Sequence, residues 1–274
     1  MEGITIHEIT RRTADGLVVS GSPWRESYRP AGFLHGGAVA SLVASSALAA
    51  ARELTGQPAL CLRSMRLAYF APSAGAMVEV DAAVIGRYGT GAALAVQVTD
   101  GAGTVQSAAT VCCELAPDSA GIAPGEPDVS WSELTAASHS AAAARSMQSE
   151  AWRRHLGIRA DAAGERCAIS SAEPRGEWPS IATVCTVADT VGVLMDQFRS
   201  AERDFVTVEL TLEQFRPAVG SVAAEGRLVR QTGRLTSLVS ALYDRHGLLG
   251  IGGATYSAIR GPGSARLRSE VPAS

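Results

Sequence analysis

The chain has 274 residues, of which 46% are hydrophobic, 19% charged and 5% aromatic, and its formal net charge is −3. That length suits one large domain or two of modest size, and the hydrophobic fraction excludes wholesale disorder. Near-neutral charge excludes the basic surplus expected of a nucleic-acid binder. All 24 basic residues are Arg, a compositional bias to which no mechanism is attached.

The first dozen residues are mixed and charged, with no apolar run that would drive secretion. The longest apolar stretch, 33–51, is interrupted by His35, Gly36, Gly37 and three serines, a poor match to a hydrocarbon span. It reads instead as a long helix of small residues. Alternating segments at 62–70, 76–85, 92–99 and 104–115 read as strands, the first ending at Ala71-Pro72. A Pro-, Gly-, Ala- and Asp-rich linker follows at 116–127, then an Ala-rich surface helix at 131–154. Beyond it come a second helix at 181–198 and strands at 206–215, 221–229, 235–243 and 248–259. The tail after Arg260 is expected to fray. The five cysteines (Cys61, Cys112, Cys113, Cys167 and Cys185) form no CxxC pair, so reduced core thiols in a cytoplasmic protein are expected.

These elements repeat. Pro72 and Pro217 lie 145 positions apart, as do Gly75 and Gly220. Asp100 and Asp244 lie 144 apart, as do Gly103 and Gly247, so one residue is lost in between. In each half the repeated Asp and Gly fall in a turn between two alternating apolar runs, a hairpin signature. Each half reads as a strand, a long helix and four antiparallel strands, an α+β arrangement with the helix layered on the sheet.

The segment Gly32-Phe33-Leu34-His35-Gly36-Gly37-Ala38-Val39-Ala40-Ser41-Leu42 resembles the G-x-x-HGG-x-x-x-x-L signature of hotdog-fold acyl-CoA thioesterases, in particular the phenylacetate-pathway type. That family carries an acid nine residues after the His, where this chain has Ala44. The 145 offset leads from 44 to Asp189, within Val187-Ala188-Asp189-Thr190, which resembles the family's L-A-D-T/S run. The same offset places Ser180, Ile181 and Ala182 where HGG would stand. The strand from Phe205 to Pro217 resembles the family strand whose Ser or Thr positions water, here Thr207, and its first-half counterpart is Leu62. The resemblance spans most of 15–115 and 160–259. It implies a fused double hotdog with one composite site, built from His35 and Gly36 of one half and Asp189 and Thr207 of the other. The mirror position, with Ser180, Ile181, Ala44 and Leu62, lacks the equipment.

The residue types suit hydrolysis of a thioester. Unpaired N–H groups at a helix start sit at the positive end of its dipole and can stabilise the oxyanion formed when water attacks. Gly36 is the expected donor, Gly37 eases the turn, and His35 orients the loop or contacts the thioester; a purely structural helix cap is the alternative for His35. Asp189 is the sole Asp, Glu, Arg or His between Trp178 and Met195, and burying a lone carboxylate is costly unless it is paired or used. It serves as general base or as nucleophile, with a solvated outer-face Asp as the alternative. Thr207 holds the attacking water, or is an ordinary β-branched strand residue. Arg29 stands where relatives often carry Asn. A surface Arg is the plainer reading, with contact to a phosphate or acyl carboxylate as the functional one. Thr190, beside the acid, is a further substrate-binding candidate.

His139, His155 and His246 are isolated and show no metal-ligand spacing, and the glycines at 250, 252 and 253 lack a phosphate-loop setting. The tryptophans Trp24, Trp131, Trp152 and Trp178 read as core or rim residues. The expected layout is a first hotdog at 1–118, a linker with surface helix at 119–155, a second hotdog at 156–260 and a tail at 261–274. No metal and no cofactor are expected beyond coenzyme A as part of the substrate. No nucleic-acid or membrane partner is expected, and two chains are expected to pair as a homodimer. A non-catalytic acyl-CoA or aromatic-ligand binder and a hotdog hydratase or dehydratase are the competing functions.

Overall fold

The computed structural model describes residues 5–13, 16–22, 33–73, 78–115, 159–163, 166–170, 184–189 and 204–259. The expected linker, the surface helix at 131–154, all four tryptophans and the tail lie outside them. Strands β1 (Thr5–Thr13) and β2 (Gly16–Ser22) precede helix α1 (Gly36–Thr55). Four strands follow: β3 (Leu60–Tyr69), β4 (Val78–Tyr88), β5 (Gly91–Asp100) and β6 (Val105–Leu115). The second half supplies β7 (Arg159–Ala163), β8 (Arg166–Ser170) and a helical segment at 184–189, here α2. It continues with β9 (Asp204–Gln214), β10 (Ala223–Gln231), β11 (Leu235–Asp244) and β12 (Gly247–Ile259).

All twelve strands join one sheet in the order β1-β2-β4-β5-β6-β3-β9-β12-β11-β10-β8-β7, with antiparallel pairing at each step. That order is a palindrome about the β3–β9 seam. At the seam Arg66 faces Thr211, two residues 145 apart, so the repeat offset passes through the centre of the ladder. On either side, Ser64 pairs with Glu213 and Ala68 with Glu209, which the same offset interchanges. Matching bulges reinforce this relation. The β3–β6 ladder skips Arg63 and the β9–β12 ladder skips Val208, again 145 apart. The hydrophobic alternation of β3, β4, β5 and β11 is the period-2 signal of a sheet with one covered face.

The covering layer of the first half is α1. Val39, Leu42, Val43, Ala44, Ala47, Ala50 and Ala51 are buried, and the helix touches β2 to β6 and β9. Small side chains let α1 lie close to the strands, where each buried Val or Leu contributes about 1.5–3 kcal/mol. The Arg52 guanidinium donates to the Leu60 carbonyl at 2.7 and 3.0 Å, fastening the last turn to β3. α1 has the length and hydropathy of a membrane span, yet two thirds of its most apolar window is buried against its own sheet. A core helix explains both properties.

One feature differs from the expectation of a single strand before each helix. Both positions hold a hairpin, β1–β2 and β7–β8. Thr13 pairs with Gly16 at the closed end of the β1–β2 ladder. At the other turns, Asp100 accepts N–H groups of Ala102 and Thr104, both at 2.9 Å. Its counterpart Asp244 accepts both guanidinium arms of Arg216 and the Val219 N–H at 2.9 Å.

Candidate active site

Helix α1 starts at the motif. His35 is its N-cap, in extended backbone (φ −63°, ψ 137°), and its Nδ1 accepts the Gly37 N–H at 3.0 Å. No acidic residue occupies the first turn, so the positive end of the helix is not answered from within its own segment. It is answered from the other half. The Gly37 N–H also donates to Asp189 Oδ2 at 2.9 Å, and His35 Nδ1 lies 3.2 Å from the same oxygen. In neutral His35, Nδ1 accepts and the ring proton sits on Nε2; a proton added at Nδ1 points at the carboxylate.

Asp189 closes the described part of α2 and is wholly buried. Its other oxygen, Oδ1, accepts the Thr207 hydroxyl at 2.6 Å. Both carboxylate oxygens are therefore partnered, which is the condition for burying such a group without a heavy penalty. The solvated outer-face alternative for Asp189 does not hold. The Val208 bulge supplies Thr207's position: residues 210, 212 and 214 continue the inward side, and the skipped residue brings 207 to that side as well.

The two glycines do different work. A Cβ on Gly37 would stand 2.6 Å from the Thr186 Cα and 2.8 Å from its hydroxyl, so only glycine lets α1 cross α2 here. A Cβ on Gly36 would stand 3.0 Å from both Asp189 oxygens and from Thr207 Oγ1. Glycine at 36 thus leaves open the space where the carboxylate, the hydroxyl and the helix N-terminus converge. Gly37 is buried, whereas Gly36 is partly accessible. As the first residue of α1, Gly36 has an N–H beyond the reach of the helix's own carbonyls. This geometry leaves room for a carbonyl oxygen on the Gly36 N–H beside the Asp189 carboxylate.

His35, Gly36, Gly37, Asp189 and Thr207 are thus brought together from both halves. Arg29 and Thr190 lie outside the described residues, as do Ser180, Ile181 and Ala182 of the mirror position. The mirror residues that are described, Ala44 and Leu62, are buried and apolar. Sequence reasoning missed three neighbours. Thr186 packs on Gly37, Tyr69 donates its hydroxyl to the Gly36 carbonyl at 2.8 Å, and Tyr256 donates to the Asp189 carbonyl. No local signal marks them, because each is defined by a partner on another element. Among the described residues no group of three or more His, Cys, Asp or Glu is placed to hold a metal ion. Cys61, Cys112, Cys113 and Cys185 are free thiols. Burial pushes the Cys113 and Cys185 thiols up to about 12, with the Cys61 and Cys112 thiols adding to it at Cys113 and the Asp189 carboxylate at Cys185.

No protein-family model matches the chain, and no curated protein does. Solved structures do match over nearly the whole length. A candidate thioesterase II from Thermobifida fusca YX superposes with TM-score 0.73 at 12% identity, covering 95% of this chain and 99% of that one. A conserved protein with a hot dog fold from Alicyclobacillus acidocaldarius gives 0.70 at 14% identity, covering 92% and 96%. The acyl-CoA thioesterase II TesB2 of Mycobacterium marinum gives 0.64 at 12% identity, covering 90% and 94%. Together with the palindromic sheet and its buried helix, this likeness makes the chain a hotdog-fold protein in which two α+β repeats share a single twelve-stranded sheet.

Proposed function

We propose that the protein hydrolyses an acyl-CoA or acyl-carrier thioester at one composite site between its two repeats. The observation that carries this reading is the buried Asp189 carboxylate, bonded by the Gly37 N–H of the other repeat and by Thr207. A wholly buried acid held beside a glycine-lined helix start is equipment for acyl transfer. The names of the Thermobifida and Mycobacterium neighbours favour the thioester class.

In this mechanism the thioester carbonyl oxygen docks on the Gly36 N–H, which stabilises the negative charge of the tetrahedral intermediate. Asp189 takes a proton from the attacking water, and Thr207, whose proton is committed to Oδ1, accepts from that water with its oxygen lone pair. The carbon–sulfur bond then breaks and the proton passes to the departing thiolate, giving a carboxylic acid and a free thiol. If Asp189 instead attacks the carbonyl itself, a mixed anhydride forms and water cleaves it to the same products. His35 fixes the helix start and faces Oδ2. Thr190 is assigned to a substrate contact by family resemblance, and Arg29, which stands where relatives often carry Asn, to a phosphate or acyl carboxylate by its charge. The repeats are placed at 1–118 and 156–260, and two chains pair through their sheets as a homodimer.

The test is thiol release from short, long and aromatic acyl-CoAs, comparing wild type with Asp189→Asn. Wild-type turnover with a loss of about 10²–10⁴-fold in kcat is expected for removal of a base. A wild type inert toward every thioester, or a variant equally fast, overturns the proposal.

A further inference from the structure

We infer that Tyr256 is a positioning residue for Asp189, an assignment that rests on Asp189 being the working carboxylate. Tyr256 is wholly buried, and its hydroxyl donates to the Asp189 main-chain carbonyl. In the β9–β12 ladder Tyr256 lies directly opposite Thr207, whose hydroxyl holds Oδ1 of the same Asp. One rung of the sheet therefore grips Asp189 at two points, the backbone through Tyr256 and the side chain through Thr207. The Val208 bulge in β9 is what brings these two residues opposite each other.

Two fixed points matter because an Asp side chain turns about χ1 and χ2. A hydroxyl on the carboxylate alone would allow backbone drift to carry Oδ2 away from the Gly37 N–H. Clamping the carbonyl as well leaves one orientation, with Oδ2 aimed at the helix start 2.9 Å away.

A buried tyrosine needs some hydrogen-bond partner, and any carbonyl would satisfy that need. The two repeats show that this one is not arbitrary. In the first repeat the rung equivalent to Thr207–Tyr256 is Leu62–Cys113, both buried. The half without the acid lacks both hydroxyls, and the half with the acid has both.

The experiment compares wild type, Tyr256→Phe, Thr207→Val and the double variant. Phenylalanine keeps the ring and deletes only the hydroxyl. Expected for Tyr256→Phe is a fall in kcat of about tenfold with KM within about twofold, because orientation and not substrate binding is lost. Both hydroxyls hold the same residue, Tyr256 at the main-chain carbonyl and Thr207 at the carboxylate, so the double variant should lose less than the product of the single losses. ¹³C-aspartate NMR, assigned with Asp189→Asn, should show the Asp189 main-chain carbonyl resonance displaced in Tyr256→Phe without any substrate. A ring-fluorinated tyrosine at 256 is a stronger donor and removes no atom from the core. It should displace that resonance in the opposite sense, so the bond can be read even if Tyr256→Phe is unstable.

An Asp189 carbonyl resonance identical to wild type in both Tyr256 variants, or losses that simply multiply, overturns the assignment. If wild type cleaves no thioester, the hydrolase reading falls while the carbonyl resonance still decides whether Tyr256 holds Asp189.

Discussion

The two inner floors of the shared sheet have the same layout and different chemistry. In the first repeat one buried row runs Leu62, Cys113, Ala92 across β3, β6 and β5. Its counterpart in the second repeat runs Thr207, Tyr256, Thr236 across β9, β12 and β11. Three residues with at most a thiol face three hydroxyls at equivalent places. The helices divide in the opposite sense: α1 carries the cap His35 and the glycine pair, and Ala44 where α2 has Asp189. Each repeat is thus polar where its partner is apolar. Burying a carboxylate twice, with its donors twice, would cost stability at two places, and a single satisfied set suffices for one reaction.

That division can be broken most severely at the converging point. Gly36→Ala places a methyl 3.0 Å from both Asp189 oxygens and Thr207 Oγ1, filling the reaction space. A loss of about 10³-fold in kcat/KM is expected, comparable to removing an oxyanion donor. Thiol-release kinetics with an unchanged melting temperature would show it to be local.

Copying the acid into the other repeat is next. Ala44→Asp buries a carboxylate on α1 in the repeat that has buried Leu62 where the other has Thr207. Denaturant unfolding should show a loss of about 3–5 kcal/mol, as for an uncompensated buried charge, with no gain in turnover. Adding Leu62→Thr should return about 1 kcal/mol of it through the missing hydrogen bond. If Ala44→Asp alone is neutral, the asymmetry of the two floors is not energetic.

Gly37→Ala tests the helix crossing apart from the chemistry. Its methyl meets the Thr186 backbone at 2.6 Å, and the helices must shift at a cost of about 1–3 kcal/mol. Displacing α1 also moves the Gly36 N–H relative to Asp189, so activity should fall along with the melting temperature.

The smallest effects lie at the thiols and turns. Cys113 and Cys185, buried and raised to about 12, should resist a thiol reagent at pH 8 in the native protein and react on unfolding. The exposed turn residue Asp100 is held below the ordinary carboxylate value by the Thr104 N–H first, then by the Ala102 N–H, the Thr104 hydroxyl and the Gln106 amide. A lowered folded pKa contributes stability that is full above the unfolded value, roughly 3.9, and is lost as pH falls through the folded one. Asp100→Asn should therefore flatten the acid side of the stability profile slightly.

Much of this was legible in the residues. The strands ending at Tyr69 and Gln214 announce themselves by alternation and by the Pro that follows each. The offset of 145 led from Ala44 to Asp189 and from Leu62 to Thr207 without any contact being known. The β1–β2 and β7–β8 hairpins are not legible there, because short segments of mixed polarity carry little periodicity. Thr186, Tyr69 and Tyr256 are silent in the sequence for a different reason. A threonine in a helix or a tyrosine in a strand is ordinary until the atom it touches is known.

The sequence by itself determined the repeat, the alternation that makes each strand two-faced, and the uneven sharing of His, Gly, Asp and Thr between the halves. These are properties of spacing and residue type, which the chain carries whether folded or not. Only the tertiary structure decided that the Gly37 N–H meets a carboxylate 152 positions away, that Arg66 faces Thr211 at the seam, and that one rung holds Asp189 from two sides. Such contacts depend on ladder register and helix crossing, and both are set by how the two halves bury their surfaces against each other.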